Sequence, residues 1–226
     1  MCSQICWRDE EDRVEWYYTV QDTPGYGDRV NIRHNIDAMV DFVVRQNEKW
    51  FNVETSKRRP ADMTLIEDPR IDVCLFCLPP HRLRYVDVKF MHELGQVVPI
   101  IPMITKADTM NIREATIFRQ EVYSRLQNPS QYGLKGAIGL FEFSKETMER
   151  IAVDDSGSQL QTLPFLVVAS NEVNAEQNQR GIFWPERQYA WGTCEAFNPA
   201  HSDVFHLRKL LMNEGLEEIT ATKLER

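Results

Sequence analysis

The stretch Asp22-Thr23-Pro24-Gly25-Tyr26-Gly27-Asp28 decides the fold of this chain. The run before it predicts a β-strand, because its side chains alternate between two sides: Val14, Trp16, Tyr18 and Val20 on one, Glu15, Tyr17, Thr19 and Gln21 on the other. In α/β proteins ligands bind at the carboxyl ends of strands. Asp22 could therefore hold a hydrated Mg²⁺, and Gly25 could bring its N–H close to a terminal phosphate. Taken alone, the stretch fits a plain strand-to-loop turn equally well.

The composition restricts the class of protein. The chain has 226 residues, of which 42% are hydrophobic and 27% charged, as is typical of a soluble globular domain with a sizeable core. The formal net charge of −8 argues against a nucleic-acid-binding domain. We interpret the basic run Lys57-Arg58-Arg59 as a solvated helix end. No apolar run approaches the length of a membrane span, and the first residues lack the pattern of a signal peptide.

The cysteines indicate a reduced protein. There are five of them, and Cys74 and Cys77 have the spacing of a redox or zinc pair. No second Cys or His pair completes a zinc site, and both thiols stand within the apolar run 71–78. We interpret them as small apolar residues of a buried strand. This usage predicts a cytoplasmic protein.

Apolar strands alternate with helices along the rest of the chain. The predicted strands cover residues 71–78, 97–104 and 163–168, and the predicted helices cover 36–53, 85–94, 112–126 and a segment from Asp203 onward. Two aromatic segments between Gly181 and Gly192 predict a hairpin. Continuous apolar strands are typical of a parallel sheet. The pattern therefore predicts an α/β fold, with helices on both faces of a mostly parallel sheet and a ligand site along one edge.

A second loop, Thr105-Lys106-Ala107-Asp108, indicates which ligand this edge would bind. A carboxylate can accept two hydrogen bonds from adjacent donors, and guanine offers such a pair where adenine does not. Lys106 could lay its apolar stem across a base while its ammonium stays in water. Alone, the motif also fits a strand-to-helix loop with Asp108 as a cap. Because it follows the Asp22 loop along the chain, it favours a Ras-like guanine-nucleotide-binding domain.

From about Asp12 to its C-terminus the chain resembles the septins. The matching elements are the loop Asp22 to Asp28, the pair Glu54 and Arg58, the strand Asp68 to Phe76, the group His81, Leu83 and Asp87, the loop Thr105 to Asp108, the segment Arg187 to Gly192, and His201 to Asp203. So many elements in the order of the family are more specific than any one motif. The resemblance implies a septin-type domain over residues 12–226.

The resemblance also implies roles for individual residues. Asp22 would lie near the metal, through water, and Gly25 near the terminal phosphate. The base would be bound by Lys106, Asp108, the backbone of Ala169 where septins have a Gly, and the stacked guanidinium of Arg187. Trp191, His81 and His201 would lie where septin domains pair across their nucleotides. The residue types alone also allow a core Trp191, surface histidines and a solvated Arg187.

Arg82 carries a separate hypothesis. It stands where the family pattern has a Gly, beside His81. An arginine that reached a partner's phosphates would act as an arginine finger, which contributes on the order of 10³–10⁵ in rate elsewhere. A solvated loop arginine is the alternative.

One element of the resemblance is missing from the sequence. No Gly-x-x-x-x-Gly-Lys-Ser/Thr phosphate loop occurs. The resemblance thus implies an incomplete Ras-like P-loop NTPase fold without its first strand, P-loop and first switch, and a non-native-looking or disordered segment 1–11. We expect one of two explanations: the sequence is that of an ordinary septin whose N-terminal part is not included, or it is that of a truncated paralogue. The retained guanine-nucleotide residues favour the former.

The resemblance implies a function. We expect a GTP- or GDP-binding protein with Mg²⁺ that assembles with other septin subunits or itself into cytoskeletal filaments at the cell cortex, in cytokinesis or scaffolding. Hydrolysis would be slow and belong to the complete domain, and a membrane surface would be met through a basic segment not seen here. A nucleotide-free structural subunit is the alternative. The Arg187–Trp191 region disfavours a Ras-like switch.

Overall fold

The structure is a computed structural model that describes residues 2–9, 14–23, 25–26, 32–63, 66–152 and 163–224. The chain divides into two compact units, Met1–Asn35 and Ile36–Arg226. Among the described residues, the helices are all too short or too polar to span a bilayer.

The N-terminal unit contains an antiparallel hairpin of β1 (Cys2–Asp9) and β2 (Val14–Gln21). The predicted strand before Asp22 is thus confirmed. A strand at Cys2–Asp9 differs from the expectation of a disordered segment 1–11. The sequence did not indicate it because residues 2–9 lack a clear alternation, and the strand is defined by its pairing with β2, such as Ile5 opposite Tyr18. Ile5, Tyr17 and Val20 remain more than half exposed.

The second unit is built on a parallel sheet. Its strands are β3 (Cys74–Leu78), β4 (Ile100–Thr105) and β5 (Phe165–Val167), in the order β3-β4-β5. β4 lies in the centre and is buried from Ile100 to Ile104, as its continuous apolar sequence predicts. The three predicted strands are confirmed with shorter bounds. Pro102 lies within the central strand β4, opposite Phe76 of β3.

Helices cover both faces of this sheet. Helix α1 (Arg33–Glu54) precedes β3, α2 (Tyr85–Leu94) joins β3 to β4, and α3 (Ile112–Gln127) and α4 (Lys145–Ala152) lie between β4 and β5. On one face, the ring of Phe76 meets that of Phe90 in α2 at 5.5 Å. On the other, Ile101 and Met103 belong to a core with residues of α4 and the C-terminal helices. Because side chains alternate along a strand, Phe76 points to one face of the sheet and Ile101 and Met103 point to the other. The predicted α/β fold with helices on both faces is thus confirmed.

The C-terminal part contains a hairpin, as predicted, but its strands lie further along the chain than the aromatic segments suggested. Its elements are α5 (Ala175–Gln179), β6 (Glu186–Tyr189), β7 (Gly192–Glu195), α6 (Val204–Lys209), a π-helical segment Leu210–Glu214 and α7 (Leu216–Leu224). The aromatic segment 182–184 precedes the hairpin instead of forming its first strand. The turn falls at Ala190 and Trp191, between the paired residues Tyr189 and Gly192. Gly192 adopts a φ of 155°, which favours glycine.

Helix α4 was not predicted from the sequence. It begins after Ser144, whose backbone N–H donates to the Glu218 carboxylate at 2.9 Å and whose hydroxyl donates at 2.5 Å. The Thr147 hydroxyl donates to the same carboxylate at 2.6 Å. Burial alone would raise the pKa of Glu218, but these hydrogen bonds outweigh it and lower the pKa. The Ser144 hydroxyl also accepts a hydrogen bond from the Thr147 N–H at 3.1 Å, as an N-cap does, so α4 has a local start signal beside this contact from α7.

Two glycines allow a close backbone contact beside the central strand. A Cβ on Gly139 would lie 2.0 Å from the carbonyl oxygen of Gly95 at the end of α2. The Gly139 carbonyl accepts a hydrogen bond from the Ile100 N–H at 2.9 Å, which fixes the segment against β4. Neither backbone can therefore retreat without losing its own contacts.

We expect Gly139→Ala to lower the free energy of unfolding by about 3 kcal/mol, because the added methyl overlaps backbone atoms. Urea unfolding followed by circular dichroism measures the effect. Ala137→Ser, at an exposed position two residues earlier, is the control and should change stability little. Equal stability of the two variants would show that the segment can shift away from α2.

Candidate functional site

The carboxyl end of β4 forms a tight loop that exposes Lys106. Lys106 adopts left-handed backbone angles, with φ 52° and ψ 42°, and is followed by a 3₁₀ turn at Ala107–Thr109. The Thr109 hydroxyl donates to the Lys106 carbonyl at 2.8 Å. The Thr105 hydroxyl donates to the carbonyl of Leu78 on β3 at 3.1 Å. These contacts hold the Lys106 backbone while its side chain stays in solvent.

Asp108 is the buried acidic group of this loop. Its side chain is 1% exposed, and its Oδ2 lies 3.0 Å from Nη1 of Arg187, which is 34% exposed. The Tyr189 hydroxyl donates a hydrogen bond to the same Oδ2. The structure thus brings the predicted pair Asp108 and Arg187 together. Tyr189 was not predicted, although it stands two residues after Arg187 on the same side of β6.

Tyr189 is part of an aromatic stack at the tip of the hairpin. Its ring lies parallel to that of Trp191, with centroids 4.9 Å apart and an interplanar angle of 7°. The Arg187 guanidinium lies 5.6 Å from the centroid of the Tyr189 ring. The hydrogen bond to Asp108 and, less strongly, burial raise the pKa of Tyr189. Trp191 is 83% exposed, so the alternative of a core tryptophan is wrong.

The loop after β3 lies beside the Lys106 loop. His81 adopts a left-handed φ of 65°, which is uncommon for a residue with a side chain. Its Nε2 lies 3.5 Å from the Thr109 hydroxyl. Arg82 is exposed. Asp87 is fully buried and accepts hydrogen bonds from the backbone and guanidinium of Arg84 at the start of α2.

The end of β5 is bordered by the segment Ser202-Asp203. The Asp203 N–H donates to the Leu166 carbonyl at 2.7 Å, and Asp203 Oδ2 accepts from the Leu166 N–H at 2.7 Å. The Ser202 hydroxyl accepts from the Val168 N–H at 3.0 Å. These bonds occupy the open edge of the last strand. Ala169, the predicted base-contacting position, follows directly and is exposed.

A buried ion pair joins this segment to α3. Arg119 Nη2 lies 2.5 Å from Asp203 Oδ2, and the two side chains are 7% and 10% exposed. Burial raises the pKa of Asp203 and lowers that of Arg119, although each partner opposes the shift of the other. Burial thus disfavours the charge on each group, and their mutual attraction offsets part of that cost.

His201 packs at the base of the hairpin. Its Nδ1 accepts a hydrogen bond from the Glu195 N–H at 3.1 Å. The Glu195 carboxylate accepts from Asn198 Nδ2 at 2.8 Å and Trp184 Nε1 at 2.9 Å. These hydrogen bonds, that of Asn198 first, lower the pKa of Glu195.

A cleft of about 450 Å³ collects several predicted residues. Its walls come from the loop after β4, the start of α3, the hairpin tip and the segment before α6, and they include Asp108, Tyr189, Trp191 and His201. Within residues 2–9, 14–23, 25–26, 32–63, 66–152 and 163–224, no group of three or more His, Cys, Asp or Glu side chains is arranged to hold a metal ion. The cleft therefore offers hydrogen-bonding and stacking groups.

Asp22 and Gly25 lie in the N-terminal unit. Asp22 is exposed, and its carbonyl accepts a hydrogen bond from the Gln21 side chain at 2.8 Å. A Cβ on Gly25 would meet no atom within 4 Å among the described residues. Pro24, Gly27 and Asp28 of the opening motif lie outside the described residues.

Comparison with known proteins decides the family. A model of the septin family matches residues 6–225. The chain belongs to the septin family. It is 48% identical to a septin GTPase domain from Chlamydomonas reinhardtii solved by crystallography, with a TM-score of 0.85 over 99% of this chain and 78% of that one. The family and the α/β fold predicted from the sequence are thus confirmed.

Curated septins are similar over most of the chain. Septin-9 of Mus musculus is 32% identical over 215 residues, which are 93% of this chain and 34% of the relative. Neuronal-specific septin-3 of Danio rerio is 32% identical over 214 residues, 93% of this chain and 55% of the relative. This septin therefore spans about a third to a half of their length. The roles of its individual site residues stay predictions.

Proposed function

We propose that this septin binds guanine nucleotides at the carboxyl end of β4 and takes part in septin assembly. The observation that carries the proposal is the buried Asp108 carboxylate beside Arg187, with Lys106 exposed on the same loop. A carboxylate in this setting accepts hydrogen bonds from the ring N–H and the exocyclic NH₂ of guanine. Adenine cannot satisfy both oxygens, so the site would discriminate between the two bases.

The neighbouring residues complete a base-binding site. The Lys106 stem would cover one side of the base, with its ammonium in solvent. Arg187 is half-exposed beside Asp108 and would stack on the other side. Ala169, exposed after β5, would offer backbone groups to the base, although its methyl limits close approach.

Phosphate and metal binding would use the Asp22 loop. The exposed Asp22 carboxylate suits a hydrated Mg²⁺, which it would contact through water. The open space at Gly25 suits a phosphate oxygen near its N–H. GTP or GDP with Mg²⁺ would be the ligands, and GTP hydrolysis would be slow.

The proposed partners are other septin subunits or a second copy of this chain. Trp191 and His201 line one cleft, and the exposed His81 stands on the adjacent loop, so the three could form a pairing surface. Filaments in the cytoplasm, at the cell cortex, in cytokinesis or scaffolding would follow from such pairing. A membrane surface would be a further partner of such assemblies. The net charge of −8 does not favour nucleic acid.

Titration of the purified chain with GDP, GTP and ATP tests the proposal. We expect guanine nucleotides to bind and ATP not to bind. Folded protein that binds none of them would contradict nucleotide binding. Filaments or oligomers formed by such a protein with a septin partner would then support the alternative of a nucleotide-free structural subunit.

Arg82 is proposed as an arginine finger that reaches the nucleotide of a paired subunit. We expect Arg82→Ala to lower GTP hydrolysis on the order of 10³-fold in an assembly that hydrolyses GTP, with nucleotide affinity unchanged. Single-turnover hydrolysis measures the effect. Arg113→Ala, at another exposed loop-adjacent position, is the control. An unchanged rate in Arg82→Ala would make Arg82 a solvated loop residue.

A further inference from the structure

We propose that the Tyr189 hydroxyl competes with the guanine base for Asp108, so that the hairpin tip acts as a gate over the base-reading carboxylate. This inference rests on the proposed guanine site. It assigns Tyr189 a role in controlling affinity, and it assigns the Tyr189–Trp191 stack a role in transmitting base binding to the protein surface.

The contacts around Asp108 leave a base edge no access. The carboxylate side chain is 1% exposed, because Arg187 and the Tyr189 hydroxyl stand against it. A carboxylate has about four lone-pair positions, so its capacity to accept hydrogen bonds is not exhausted by these two donors. The obstacle is steric. A guanine edge needs both oxygens within about 3 Å, and therefore one of the two covering groups must move.

Tyr189 is the group whose movement the hairpin permits. The base of the hairpin is fixed, since the Ala196 N–H donates to the Pro185 carbonyl at 2.8 Å and Glu186 is buried against Asn174. The tip is different, because β6 and β7 form a sheet of only two strands among the described residues. Ala190 and the exposed Trp191 make its turn, between the paired residues Tyr189 and Gly192. A two-stranded ribbon is easily bent at its end.

The stack carries the movement to the surface. Tyr189 and Trp191 lie parallel with centroids 4.9 Å apart, so displacement of one ring disturbs the other. Trp191 is 83% exposed and lines the cleft together with His201. Binding of a base at Asp108 would therefore change the shape of this exposed aromatic surface. The raised pKa of Tyr189 agrees with a hydroxyl proton held by Asp108.

Tyr189→Phe tests the gate, because it removes the hydroxyl and keeps the ring that stacks on Trp191. We expect GDP to bind on the order of tenfold more tightly, since a hydrogen bond to a charged acceptor no longer has to be broken. Equilibrium titration with a fluorescent GDP measures the affinity. Tyr132→Phe is the control, because its ring meets Tyr85 at 6.1 Å and it has no part in the Asp108 cluster.

Each outcome of this titration decides the proposal. Tighter binding by Tyr189→Phe, or binding by this variant alone, supports the gate. Equal or weaker binding than in the wild type overturns the gate and leaves the guanine site intact. Binding by neither protein overturns both.

Tryptophan fluorescence tests the transmission to the surface. The chain has five tryptophans, so the contribution of Trp191 is obtained from the difference between the wild type and Trp191→Phe. We expect GDP to change the emission of the wild type and to change that of Trp191→Phe much less. A change of the same size in both proteins would overturn the coupling of base binding to the hairpin tip.

Discussion

Asp108→Asn is expected to change the nucleotide preference of this septin from guanine to xanthine. The asparagine side chain offers one acceptor and one donor where the carboxylate offers two acceptors. Guanine would then face its NH₂ against the Asn NH₂, whereas xanthine presents an N–H and a carbonyl that match. Because buried hydrogen-bonding groups would be left unpaired, we expect GDP to bind roughly 10²–10⁴-fold more weakly.

Competition titrations with GDP and xanthosine diphosphate measure this change. We expect xanthosine diphosphate to bind Asp108→Asn more tightly than GDP does, and the wild type to show the opposite order. Asp41→Asn makes the same chemical change at an exposed position of α1 and should keep the wild-type preference. Loss of GDP binding without any gain for xanthosine diphosphate would indicate that Asp108 holds the loop rather than the base. Circular dichroism of each variant would show whether the fold is intact.

Local patterns were sufficient for most elements of the fold. Alternating side chains mark β2, continuous apolar runs mark β3, β4 and β5, and helical spacing marks α2. The position of Lys106 and Asp108 at the carboxyl end of β4 follows from the order of strand and motif. Arg187 was linked to Asp108 through the family resemblance alone.

Contacts between distant segments were beyond the reach of the sequence. Tyr189 meets Asp108 across 81 residues, and Arg119 meets Asp203 across 84. The sequence around Tyr189 and around Arg119 does not indicate these contacts, because Tyr is common in strands and Arg is common in helices. The hairpin was predicted too early in the chain because the aromatic segments 182–184 and 188–191 suggested its strands, whereas residues 186–189 pair with 192–195. Helix α4 was missed although Ser144 is its N-cap, and the contact of Ser144 with Glu218 of α7 has no local sequence signal.

Asp203→Ala is expected to lower the free energy of unfolding by about 3–5 kcal/mol, the cost of leaving one charge of a buried pair without its partner. Arg119 would remain 7% exposed in its side chain, and the Leu166 N–H would lose its acceptor. Urea denaturation measures the effect. In Arg119→Met combined with Asp203→Ala, the loss should be smaller than the sum of the single losses, since the buried guanidinium that faced Asp203 is also removed.

An exposed ion pair provides the matched control for this prediction. Lys145 Nζ lies 3.6 Å from Glu149 Oε1, with side chains 90% and 67% exposed, so Glu149→Ala should change the stability by at most about 1 kcal/mol. Equal losses of unfolding free energy in Asp203→Ala and Glu149→Ala would contradict the expectation that a buried ion pair costs more to break than an exposed one. Asp203 directly follows His201 and Ser202, which line the cleft beside Trp191. Replacing Asp203 would therefore loosen one wall of the cleft. We expect both the stability and the guanine binding of Asp203→Ala to decline.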